Sequence, residues 1–257
     1  MRKGSFLLTR PNHEPTVNYL FAWAEKVLEI SKKKNIFSID LSKSSANKKQ
    51  FVSSVKRFRP SFIYLNGHGS LNSVTGFDNK PILSFADNEE ITNDCVVYAL
   101  SCQSAKRLGK SCVSRGARSY LGYNDDFIFV FDEKNENNPS ELDQTASYFL
   151  DPSNDLCQAV LEGKTSGEAV ESSQSAFEQS IIKFSLSDAT AEERELLPYL
   201  LWDREHQVCL GDSQAKCEFI SEEEYNKQRK TKLYILISVL IFFISFIFWR
   251  LGFTPQR

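Results

Sequence analysis

Two kinds of hydrophobic pattern take turns along the first half of the chain. Ser5–Thr9, Ile36–Leu41, Phe62–Leu65, Cys95–Leu100 and Gly116–Tyr123 are short apolar runs, rich in aromatic and β-branched residues and closed by turn formers. Such runs read as strands buried on both faces. Between them apolar positions recur at helical spacing. Tyr19, Leu20, Trp23, Val27 and Ile30 predict a helix that opens at Glu14-Pro15-Thr16 and ends at Lys32-Lys33-Lys34, where cations suit the helix dipole. Ser45–Phe58 predicts a second helix, stopped by Pro60, and a short helix follows Ser104. Val74–Leu83, with Gly76-Phe77-Asp78-Asn79-Lys80 between apolar flanks, predicts a small hairpin. This alternation predicts an α/β domain with a mostly parallel sheet and helices on both faces.

Beyond Tyr123 the pattern loosens. Asp132–Asp143 is polar and reads as a surface connector. Helices are expected over Thr145–Leu161, Ser166–Phe184 and Ala191–Arg204, the last kinked at Pro198, and Gln207–Leu210 reads as a final strand. Leu233–Trp249 holds 17 residues without a charge. At ~1.5 Å per residue that run covers ~26 Å, and continuing through Phe253 it approaches the ~30 Å of a bilayer core. Lys227, Arg229, Lys230 and Lys232 precede it, while Arg250 and Arg257 follow. The basic flank predicts a single-pass C-terminal anchor with the N-terminal domain in the cytoplasm. The expected organisation is therefore a domain over 1–225, a basic linker over 226–232, a transmembrane helix over 233–253 and a short tail over 254–257.

Composition adds exclusions. A formal charge of −2 and the lack of a basic-aromatic stripe give no argument for nucleic acid. In a reducing cytosol the six cysteines are not expected to form a disulfide framework. No C-x-x-C pair occurs, and His206, Cys209 and Cys217 lack zinc-site spacing, so neither metal nor cofactor is expected. Cys95 and Cys157 read as small core residues, His13 as a loop residue and His206 as structural.

Candidate chemistry lies at two strand ends. Phe62–Leu65 runs into Asn66-Gly67-His68-Gly69, and Cys95–Leu100 runs into Ser101-Cys102-Gln103-Ser104. The carboxyl ends of parallel strands line the crevice where α/β proteins bind ligands. An imidazole there suits the role of base to a thiol nucleophile. The backbone N–H groups of Gly69 and Cys102 are the expected oxyanion donors, since glycine after the histidine lets the backbone approach the reacting oxygen. Asp125 and Asp126, directly after the last parallel strand, are candidates to receive a basic substrate side chain.

These elements resemble the dyad signature of the caspase-like cysteine peptidases, the superfamily of caspases, metacaspases and gingipains. The short His68-to-Cys102 spacing and the Gly116-Ala117-Arg118-Ser119-Tyr120-Leu121-Gly122-Tyr123 strand are most similar to the bacterial CHAT-like and gingipain-like branch. Val208-Cys209-Leu210-Gly211-Asp212 resembles an element near the end of such domains, with Ser213 where proline is usual. The resemblance implies a caspase-like fold over about residues 4–215 and a cysteine endopeptidase acting through His68 and Cys102. It further implies protein or peptide substrates, a regulatory protein partner and a stress- or defence-linked role. Leu100-Ser101-Cys102-Gln103-Ser104 departs from the caspase Gln-Ala-Cys-x-Gly motif, so caspase specificity does not carry over. Two alternatives stand beside this reading: an inactive caspase-like module binding partners at the membrane, and a Cys-His hydrolase or acyltransferase for small molecules.

Overall fold

The computed structural model describes residues 3–132 and 143–250. These divide into two compact units, one ending at Phe219 and one beginning at Ile220. In the first, strands β1 (Ser5–Arg10), β2 (Ser38–Ser42), β3 (Pro60–Asn66), β6 (Val96–Leu100), β7 (Ser119–Tyr123) and β8 (Gln207–Gly211) form one sheet in the order β2-β1-β3-β6-β7-β8. All neighbours are parallel except β8, which pairs antiparallel with β7. A separate hairpin, β4 (Ser73–Thr75) with β5 (Pro81–Ser84), sits between β3 and β6 in the chain, where the sequence predicts one.

Helices cover both faces of the sheet, which is why its inner strands are apolar without alternation. Phe6, Leu8, Phe62, Tyr64, Tyr98, Leu121 and Tyr123 point to one face, beneath α1 (Pro15–Lys33), α4 (Gln144–Leu161) and α5 (Ser166–Ser185). Leu7, Ile63, Leu65, Val97, Ala99 and Tyr120 point to the other, against α2 (Lys48–Phe58), the hairpin and the stretch leading into α3 (Lys110–Ser114). That stretch, Ala105–Gly109, is a π-helical turn. A satellite core of Phe149, Phe177, Phe184, Leu196 and Leu200 locks α4 and α5 to α6 (Ala191–His206). The helix expected over Ala191–Arg204 forms as α6, a single helix that contains Pro198 and is opened by a capping box in which Thr190 and Glu193 bond each other's backbone N–H.

After β8 the chain returns across the amino ends of the strands. Gly4 N–H and Ser61 Oγ both donate to Glu218 O (2.9 Å each), and Cys217 Sγ donates to Ser61 O (3.3 Å). Phe219 pairs with Gly4 beside β1.

The second unit contains α7 (Glu222–Arg250), one helix whose first turns are charged and whose later turns expose Ile235, Ile241, Phe242 and Phe243. The transmembrane span expected over 233–253 is not found: no helix among the described residues is long and apolar enough to cross a membrane. The charge-free run is 17 residues, short of a bilayer core, and 251–253 lie outside the described residues, as does most of the expected connector between Asp132 and Asp143.

Candidate active site

The strand register sets His68 and Cys102 level with each other. Asn66 of β3 pairs with Leu100 of the neighbouring parallel β6, and each candidate residue lies two positions beyond its member of that pair. The two turns are stitched together. Ser101 Oγ donates to Gly67 O (2.8 Å), and a Cβ at Gly69 would overlap the backbone carbonyl and nitrogen of Cys102. Only glycine permits so close an approach. On its far side the His68–Gly69 turn is pinned by the hairpin, with Thr75 N–H donating to His68 O and Ser70 N–H to Ser73 O (2.9 Å each). Neither bond consumes the N–H of Gly69. At the base, Asn66 Nδ2 donates to Thr9 O (3.0 Å), tying β3 to β1.

β1 contributes a residue that sequence reasoning missed. The loop after Arg10 delivers Glu14 to His68, whose Nε2 lies 3.0 Å from Glu14 Oε1. Glu14 also caps α1, its carboxylate accepting from Val17 N–H (3.0 Å) and Thr16 N–H (3.3 Å). In the sequence Glu14-Pro15-Thr16 signalled only a helix start; its pairing with a histidine 54 positions away is tertiary.

Cys102 is half-buried, and its Sγ donates to Phe127 O at 3.7 Å. Burial pushes the thiol up from its ordinary pKa, and the nearby carboxylates of Asp126 and Asp203 add to the rise. Gln103, the next residue, holds a left-handed φ of +55°, a strained conformation of the kind found at functional turns.

The two carboxylates proposed for a basic substrate are engaged inside the protein. Asp125 Oδ2 pairs with Lys106 Nζ (2.9 Å), which holds its carboxyl below the usual range, and Asp126 Oδ1 accepts from Gln103 Nε2 (2.9 Å). A third carboxylate, Asp203 on α6, is fully buried; Oδ1 accepts from Ile128 N–H (2.9 Å), Oδ2 has no partner among the described residues, and burial holds its pKa well above the usual value. It had no signal in the sequence beyond its place in a helix. Among the described residues no group of three or more His, Cys, Asp and Glu could hold a metal ion.

No protein-family model matches the chain, and no curated protein matches it either. Solved structures do. The crystal structure of the Arg-specific cysteine proteinase gingipain R superposes with a TM-score of 0.56 at 9% identity, covering 85% of this chain and 48% of that one. The two share a fold. A complex of the pro- and mature domains of RgpB from Porphyromonas gingivalis matches with a TM-score of 0.55 at 7% identity, over 85% and 49% of the two chains. This chain thus spans about half the length of the gingipain structures it matches.

Proposed function

We infer that this caspase-like domain is a cysteine peptidase that cuts protein or peptide substrates with His68 and Cys102. The observation that carries this reading is the level placement of the two residues past the Asn66–Leu100 pair, in turns locked by Ser101 and Gly69. Glu14 holds the imidazole in place. His68 takes the proton of the Cys102 thiol, and the sulfur attacks the peptide carbonyl. The resulting oxyanion is received by the N–H groups of Gly69 and Cys102. His68 then returns its proton to the leaving amine, and water hydrolyses the acyl-sulfur bond. The resemblance to the CHAT-like and gingipain-like branch supports a regulated cleavage, as in a stress or defence response.

Cleavage of a peptide library varied at P1 tests the proposal. Cys102→Ala and His68→Ala should each lower kcat/KM by about 10⁴–10⁶-fold, the scale seen when a nucleophile or its base is removed. Unchanged cleavage in either variant overturns the assignment.

The reading extends to location on sequence grounds. The uncharged run 233–249 behind Lys227, Arg229, Lys230 and Lys232 supports attachment to a membrane through that run. Alkaline carbonate extraction of the full chain should leave it in the membrane pellet; recovery in the supernatant rejects the anchor.

A further inference from the structure

The chain that leaves β7 is laid across the catalytic turn and held from both sides. From the Cys102 side, Gln103 N–H donates to Asp125 O and Gln103 Nε2 to Asp126 Oδ1 (2.9 Å each). From the α6 side, Trp202 Nε1–H donates to Asp126 O and Ile128 N–H to Asp203 Oδ1 (2.9 Å each). Along the strap the rings of Phe127, Phe129 and Phe131 form a file between Tyr123 and Tyr19, with centroids 4.8, 6.0, 5.8 and 4.6 Å apart in turn. Between the two sets of hydrogen bonds, the Phe127 carbonyl receives the Cys102 thiol.

Asp203 is costly where it stands. A buried carboxylate with one oxygen unpartnered disfavours the fold, and hydrophobic residues would pack there more cheaply. What the carboxylate does hold is the strap, at the residue next to the carbonyl that faces Cys102.

We propose that Trp202 and Asp203 are positioning residues that pin residues 124–131 over Cys102 and keep its thiol latent as a donor to the Phe127 carbonyl. A carbonyl oxygen accepts from sulfur only while the sulfur keeps its proton, so this bond is lost when the thiol ionises. His68 meanwhile faces Glu14. Lifting the strap removes the thiol's partner and returns the sulfur to the imidazole. The inference rests on the proposed function only in taking Cys102 as the reactive thiol.

The test is the rate at which iodoacetamide alkylates Cys102 in the full chain at pH 7.5, read by mass spectrometry of its peptide. The thiolate sulfur displaces iodide to form the S–C bond, and the thiol proton passes to buffer. Trp202→Phe keeps the ring and loses the N–H; Asp203→Ala loses the anchor; Asp203→Asn keeps an oxygen for Ile128. Trp202→Phe and Asp203→Ala should each accelerate alkylation about fivefold or more, roughly what one lost hydrogen bond is worth. Asp203→Asn should accelerate alkylation less than Asp203→Ala does, since both lose the charge near the thiol but only the amide keeps the bond to Ile128. Buried Cys95 and Cys112 report on the fold in the same digest. If Asp203→Ala exposes them, it has unfolded, and Trp202→Phe decides. No acceleration of Cys102 in Trp202→Phe overturns the proposal, as does an equal acceleration at Cys95 and Cys112. Faster alkylation without peptide cleavage leaves the strap standing and removes the peptidase reading; cleavage without faster alkylation does the reverse.

Discussion

Glu14 serves two partners with one carboxylate, and the two can be separated. Its bond to His68 concerns chemistry, while its bonds to Thr16 and Val17 concern the start of α1. Glu14→Gln keeps a polar group of the same shape but gives up the charge that favours an imidazolium. We expect kcat to fall by about 10-fold or more with KM moved less than about twofold, since the loss bears on the transition state. Glu14→Ala should in addition cost about 1 kcal/mol of stability through the missing cap, read by urea denaturation. If Glu14→Gln leaves kcat unchanged, the residue is a cap and nothing more. His68 and Cys102 stand out as candidates in the sequence because each closely follows an apolar strand, and local pattern marks strand ends. Glu14, Asp203 and the Phe127 carbonyl could not, because their roles arise only where separate elements meet.

Between elements, the turn that leads from β5 to β6 is organised by a buried charge. Glu89 is 2% exposed and accepts from Ala86 N–H, Asp87 N–H and Ser111 Oγ (3.0 Å each), joining this turn to α3. Burial alone would raise its pKa, but these donors together with the residue's own backbone N–H outweigh it and the net shift is downward. The stability this group contributes is therefore complete above the unfolded carboxylate value of about 4.3 and is lost as pH falls through the lower folded value. Glu89→Gln should flatten the fall in melting temperature over that acid window; a slope equal to the parent's would show that Glu89 is not a source of the acid sensitivity. The elements themselves were largely legible. The hairpin, the parallel strands and the helix over Ser166–Phe184 follow from apolar spacing, since both faces of the sheet are buried. The helix over Ala191–Arg204 follows from the same spacing, and a capping box and the packing of Leu196 and Leu200 carry it through Pro198.

At the scale of the whole molecule, three strands adjacent in space lead to the candidate residues in order: β1 to Glu14, β3 to His68 and β6 to Cys102. Parallel neighbours at about 4.8 Å set their spacing, so the row inherits its alignment from the core. A one-residue slip of β3 would turn its side chains to the wrong faces, and the apolar layers on both sides forbid it. The sequence shows that such a sheet exists; its strand order, and hence which loops become neighbours, depends on long-range pairing that spacing does not encode. The amino ends of the same strands carry a separate set of bonds: Gly4 N–H and Ser61 Oγ donate to Glu218 O of the returning segment, and Cys217 Sγ of that segment donates to Ser61 O. A pull on the chain beyond Phe219 is thus resisted first at that end of the sheet. Those bonds lie at the start of β1 and β3, the ends opposite the turns that carry His68 and Cys102.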